Sequence, residues 1–137
     1  LTAETGTYRW MAPEVIRHEK YSRSADVYSY GCVLFELLTH QVPFADRTPL
    51  QAAVEVGLND QRPELPAGVP VLVGELATMC WAKDASSRPT FTSIHATLID
   101  MRNILTLAEH AWLDEPRGHP VYLLSAEVDG HDGSLTF

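Results

Sequence analysis

The chain has only two lysines, Lys20 and Lys83, and only two cysteines, Cys32 and Cys80, among its 137 residues. Ten basic residues stand against eighteen acidic ones, a net charge of −8. That balance excludes a phosphate-backbone binder, which needs clustered Lys and Arg. Two cysteines in apolar, helix-like surroundings do not make a disulfide scaffold. They are expected to be buried free thiols of a reducing, cytoplasmic compartment. No apolar run reaches the roughly 20 residues that a membrane span needs, and no signal-peptide pattern opens the chain. The six histidines have no metal-ligand spacing with cysteines or carboxylates. No nucleophile elbow or Ser-His-Asp order is present. What is there is ordinary for a soluble globular domain, 45% hydrophobic and 20% charged, with enough chain for one moderate core. The opening residue is Leu1 rather than Met, which reads as a hint of a fragment.

The pattern predicts a mainly α protein of about five helices. Leu1 to Trp10 is Thr-rich and reads as loop. Pro13 suits a first helical turn, so a short helix is expected through Val15, Ile16 and His18. Ser24 is the expected N-cap of a long helix from Ala25 to about Thr39. Val27, Tyr30, Gly31, Leu34, Phe35, Leu37 and Leu38 leave that helix little polar face, which marks it as the central spine. Thr48-Pro49 opens a shorter helix to about Val56. The stretch from Asn59 to Pro70 is Pro-rich and irregular. Val71 to Ala82 reads as a helix with Leu72, Leu76, Met79 and Cys80 on one stripe. After Arg88-Pro89-Thr90, a last helix sets Phe91, Ile94, Leu98, Met101 and Leu105 at helical spacing. Residues 106–137 read as an irregular tail, with Val121–Leu124 a candidate strand. Trp112 and that run are expected to pack back onto the helices.

The most informative residues are Thr5-Gly6-Thr7-Tyr8-Arg9-Trp10-Met11-Ala12-Pro13-Glu14. They are followed in order by Ala25-Asp26-Val27-Tyr28-Ser29-Tyr30-Gly31, Leu37-Leu38-Thr39, Pro43-Phe44, Cys80-Trp81 and Arg88-Pro89. One triplet such as Ala12-Pro13-Glu14 arises by chance, but the ordered set does not. It resembles the end of the activation segment and the lower lobe of a eukaryotic protein kinase. The likeness is greatest to the tyrosine-kinase-like group and its plant-type Raf-like Ser/Thr kinases, and it covers residues 1–105. It implies the helical C-lobe portion of the kinase fold, without the N-lobe and the catalytic loop.

The resemblance assigns roles residue by residue. Glu14 and Arg88 match a buried ion pair that fastens the activation segment to the lobe, a task for which the planar guanidinium fork is suited. Asp26 matches a residue that reaches catalytic-loop amides, and its plain alternative is an acidic residue favoured by the helix dipole. Trp81 is expected as a core aromatic beneath the anchor. Thr7, Tyr8, Arg9 and Trp10 match the substrate-binding loop, and Thr7 favours Ser/Thr over Tyr substrates. Thr2 and Thr5 match positions that are often phosphorylated, with ordinary loop threonines as the alternative. The implied parent uses ATP and Mg²⁺, acts on protein substrates, and has upstream and downstream kinases as partners.

The Gly-rich loop, the strand Lys with its Glu, the catalytic Asp with its Asn and the metal-binding Asp are absent from these 137 residues. The fragment is therefore expected to bind no ATP or metal and to be inactive alone. A pseudokinase fragment and a short interaction module stand as alternatives. The long apolar helix is expected to leave one face uncovered.

Overall fold

The computed structural model describes residues 5–115. Thr2 and Val121–Leu124 therefore lie outside the described residues. Among those described there are six α-helices, two 3₁₀ segments and no strand. The helices are α1 (Pro13–Ile16), α2 (Ser24–Thr39), α3 (Pro49–Gly57), α4 (Val71–Cys80), α5 (Phe91–Ile104) and α6 (Leu107–Asp114). The mainly α expectation holds.

Helix α2 is the spine. Ala25, Val27, Tyr28, Gly31, Cys32, Leu34, Phe35 and Leu38 are all buried along it. It packs against α4 on one side and the Thr5–Trp10 segment on another. Gly31 permits the close crossing: a Cβ there would sit 2.8 Å from Cys80 Cβ. Both cysteines are buried free thiols, and burial pushes Cys32 up to about 12 and Cys80 up to about 11. The helix ends at His40, whose left-handed backbone lets its N–H reach Glu36 O at 2.7 Å.

Several local expectations are corrected. Thr5–Trp10 is a 3₁₀ helix rather than loop. Six residues are long for this conformation, and packing on α2 and α3 overrides the weak local preference of threonine. Ser24 is the first helical residue of α2 rather than its cap. The chain already turns one step earlier, with Ala25 N–H bonded to Ser22 O, and Ser22 Oγ accepts from Ser24 N–H at 3.3 Å. The buried stripe of α4 is Val73, Leu76, Ala77 and Cys80, while Met79 is 46% exposed. In α5 only Ile94 and Met101 are buried, and Phe91 and Leu98 face outward.

Residues 106–137 do not begin as an irregular tail, because α6 occupies Leu107–Asp114. Its start is set by a capping box in which Thr106 and Glu109 satisfy each other's backbone N–H groups. That Thr-x-x-Glu signal is legible in the sequence even though hydrophobic periodicity fades there. Trp112 of α6 packs back onto the core. Its indole nitrogen lies 3.1 Å from where a Cβ on Gly68 would be, and Gly68 itself holds φ at +90°. The α3 start forms as expected, with a second capping box between Thr48 and Gln51.

Candidate functional site

The site is built where the start of the chain lies on α2. Ala12 and Pro13 are buried, and Pro13 occupies the first turn of α1, where its lack of an N–H leaves no bond unmade. That turn carries Glu14 inward to 7% exposure, against Arg88 at 6%. Arg88 Nη1 donates to Glu14 Oε1 at 2.6 Å and Nη2 donates to Oε2 at 3.0 Å. The pair joins residues 74 positions apart. Two further donors are used: Nη1 reaches Ser24 O and Nε reaches Ala82 O, each at 3.0 Å. Burial alone pushes the Glu14 carboxyl up, but the Arg88 hydrogen bonds and charge outweigh it and hold the group below its ordinary range. A buried charge pair needs this degree of satisfaction to be tolerated.

The residues before Glu14 are tied to α2 as well. Trp10 Nε1 donates to Glu36 Oε2 at 2.8 Å, and Trp10 O accepts from Ser29 Oγ at 2.7 Å. Burial raises the Glu36 carboxyl, and the Trp10 bond offsets part of that shift. Arg9 points inward. Its guanidinium donates to Pro43 O at 3.0 Å, Phe44 O at 2.6 Å and Arg47 O at 2.6 Å. Phe44 has φ of 53°, a strained value for a bulky residue, and Arg9 is one of the groups holding it.

Thr7 is exposed, and Tyr8 is half-buried. Tyr8, Met11, Val15 and Ile16 face Leu50 and Val54 of α3 and Leu58 just past its end across an open groove of about 660 Å³. Asp26 is exposed in the first turn of α2. Trp81 is 5% exposed at the end of α4 and packs toward Gly31. The structure thus brings Glu14, Arg88, Trp10, Arg9 and Trp81 into one framework, while Asp26 stays at its rim. Two contributors, buried Tyr28 and half-buried Arg62, carry no clear signal in the sequence. Tyr28 lies under the Arg88 guanidinium at 5.2 Å, and Arg62 lies over the same ring at 5.5 Å. Only the Arg62-Pro63 pair within the Pro-rich stretch hinted at a fixed position.

This chain matches the protein tyrosine and serine/threonine kinase family over residues 2–98. The chain belongs to that kinase family. It is 50% identical over 105 residues to the serine/threonine-protein kinase STY17 of Arabidopsis thaliana, an overlap of 77% of this chain and 18% of that protein. It is 43% identical over 116 residues to the Arabidopsis serine/threonine/tyrosine-protein kinase HT1, covering 82% of this chain and 30% of HT1. It is 38% identical over 111 residues to mitogen-activated protein kinase kinase kinase 10 of Xenopus laevis, covering 81% and 10%. The chain spans less than a fifth of STY17 and about a third of HT1. It is a portion of a kinase domain whose relatives are Ser/Thr protein kinases.

Kinases of this family use ATP and a metal ion. Among the described residues no group of three or more His, Cys, Asp or Glu is placed to hold a metal ion. The described residues therefore offer no ligand cluster for that metal ion. No helix among the described residues is long and apolar enough to cross a membrane.

Proposed function

We propose that this chain supplies the end of the activation segment and part of the substrate-binding lobe of a Ser/Thr protein kinase. The parent transfers the γ-phosphate of ATP to protein Ser or Thr in cytoplasmic signal transduction. ATP and Mg²⁺ are held by residues outside this chain, so the chain alone is inactive. Positioning and charge neutralisation dominate phosphoryl transfer, and the contribution of this portion is positioning. One observation carries the reading: Thr7 is exposed while its neighbours Arg9, Trp10 and Glu14 are fastened by hydrogen bonds to three separate parts of the lobe. A rigid base beneath an exposed threonine suits a loop that presents a peptide to catalytic groups.

In this reading Thr7, Tyr8, Arg9 and Trp10 form the substrate-binding loop, with Arg9 acting from beneath. Glu14, Arg88, Asp26 and Trp81 serve as structural anchors, and Thr2 and Thr5 are phosphorylation positions. Residues 1–105 form the lobe portion and 106–137 a C-terminal extension. Protein substrates and neighbouring kinases of a cascade are the partners.

A second reading, a non-catalytic interaction or scaffold module, draws on the exposed stripe Leu50, Val54 and Leu58. A chimera separates the two. The matching segment of STY17 is replaced by residues 2–98, and phosphorylation of Ser, Thr and Tyr peptides is measured. The kinase reading expects transfer to Ser and Thr, lost in Thr7→Ala. A folded chimera with no transfer sinks it and favours the scaffold.

A further inference from the structure

The connection between α3 and α4 returns Arg62 to the centre of the lobe, and the buried Pro63 that follows fixes its exit. Arg62 Nε donates to Trp81 O at 2.8 Å, Nη1 to Gln61 O at 2.8 Å and Nη2 to Asp60 Oδ1 at 3.0 Å. Arg88 uses the same surroundings, with Nε on Ala82 O. Two guanidiniums therefore take the successive carbonyls 81 and 82, just past the C-terminus of α4. Cations are favoured there by the helix dipole. The same two guanidiniums lie over one ring, that of Tyr28, an attractive placement when desolvated. Each has its own carboxylate: Glu14 for Arg88, and Asp60 for Arg62, with Lys83 Nζ 2.8 Å from Asp60. The Tyr28 hydroxyl is buried with no hydrogen-bond partner. What α2 presents to both arginines is the ring of Tyr28 rather than its hydroxyl.

We infer that Arg62 is a positioning residue for the substrate loop, acting through the Tyr28 ring and the end of α4 to hold Arg88 against Glu14. The role of the loop rests on the kinase reading above. The coupling itself does not. Without Arg62, carbonyl 81 loses its donor and the Tyr28 ring loses one of its two covers. Arg88 keeps its carboxylate, but its seat loosens. Glu14 passes that freedom through α1 to the Thr5–Trp10 segment. Lysine in place of Arg62 keeps a charge but supplies neither a planar face nor a fork.

The test is amide hydrogen exchange and indole N–H spectroscopy by NMR on the purified chain, comparing Arg62→Lys, Arg62→Ala and Tyr28→Phe. Arg62→Lys is expected to speed exchange at Met11 and Val15 about tenfold and to move the Trp10 indole resonance. Ile94 in α5 and Ala52 in α3 should change less than about twofold on the same scale. Tyr28→Phe, which keeps the ring, should leave Met11 and Val15 unchanged. Acceleration confined to residues 59–66 and 81–84 overturns the inference, as does a uniform rise in all helices. If Arg62→Ala does not fold, Arg62→Lys decides. The readout needs no phosphoryl transfer, so an inactive chimera and an uncoupled Arg62 are separate results.

Discussion

Two faces of this molecule invert the usual rule for what lies inside a protein. At the junction of α1, α2 and α4, a glutamate and an arginine are buried at 7% and 6% exposure. On the outer faces of α2 and α3 and at the end of α3, Leu37, Leu50 and Leu58 stand 68%, 65% and 73% exposed. Charges are rarely buried unless paired, whereas a single exposed leucine is unremarkable. Here the leucines are not scattered: Leu50, Val54 and Leu58 recur at helical spacing beside the groove. The contrast separates two kinds of surface. Where the chain locks onto itself, Arg88 spends four hydrogen bonds on a carboxylate and two carbonyls. Where apolar side chains face outward, nothing in the chain's described residues covers them.

The sharpest way to break this contrast is to remove one member of the buried pair. Glu14→Gln or Arg88→Gln should each destabilise the chain by about 3–5 kcal/mol, because one charge stays buried alone. Urea denaturation of both single variants and the double variant checks it. The double should lose much less than the sum, and strict additivity would disprove the pairing.

Next come two adjacent leucines. Leu38, 3% exposed, should lose about 2–5 kcal/mol on truncation to alanine. Leu37→Ser, on the outward side of the same turn, should shift stability by no more than about 0.5 kcal/mol. Sedimentation of the two proteins sharpens the point. If the outward face drives association of the isolated chain, Leu37→Ser reduces it and Leu38→Ala does not.

Two glycines give a smaller effect of opposite sign. Gly31→Ala drives a methyl to 2.8 Å from Cys80 Cβ between packed helices and should cost about 1–3 kcal/mol. At Gly74 the nearest atoms are 3.5 and 3.6 Å away. Gly74→Ala should stabilise α4 by about 0.5–1 kcal/mol. Thermal melts of the two variants should therefore move in opposite directions.

The smallest effect is on pH dependence. Glu14 titrates below its ordinary value in the folded chain, so its contribution is present above about pH 4.3. It is lost as pH falls through the lowered folded value. Glu36 is shifted the other way. Its contribution is present at low pH and is lost as pH rises through its raised folded value. Carboxyl carbon shifts followed by NMR should show the two titrating on opposite sides of an unfolded glutamate. Titration together refutes the burial argument for Glu36.

Much of the fold was legible from local rules: Pro13 and Pro49 at helix starts, the apolar density of α2, and the family pattern running from Gly6 to Arg88. The errors arose where tertiary contact overruled local preference. The Thr5–Trp10 segment is helical because α2 and α3 hold it. The buried stripe of α4 includes Val73 and Ala77 and leaves Met79 exposed, because the α2–α4 crossing at Gly31 and Cys80 sets the rotation. Arg9, matched by resemblance to the substrate-binding loop, gives its donors to three carbonyls of the α2–α3 connection, a partner set that no local rule announces.

The sequence by itself determined the family, the helical class and the residue types of the anchor, since these depend on order along the chain and on spacing within a turn. Only the tertiary structure decided that Arg62 and Arg88 share the Tyr28 ring and successive carbonyls, and which leucines face outward. The reason is physical. A guanidinium fork declares what it is able to bind, but its partner is set by how helices many residues apart come to rest against one another.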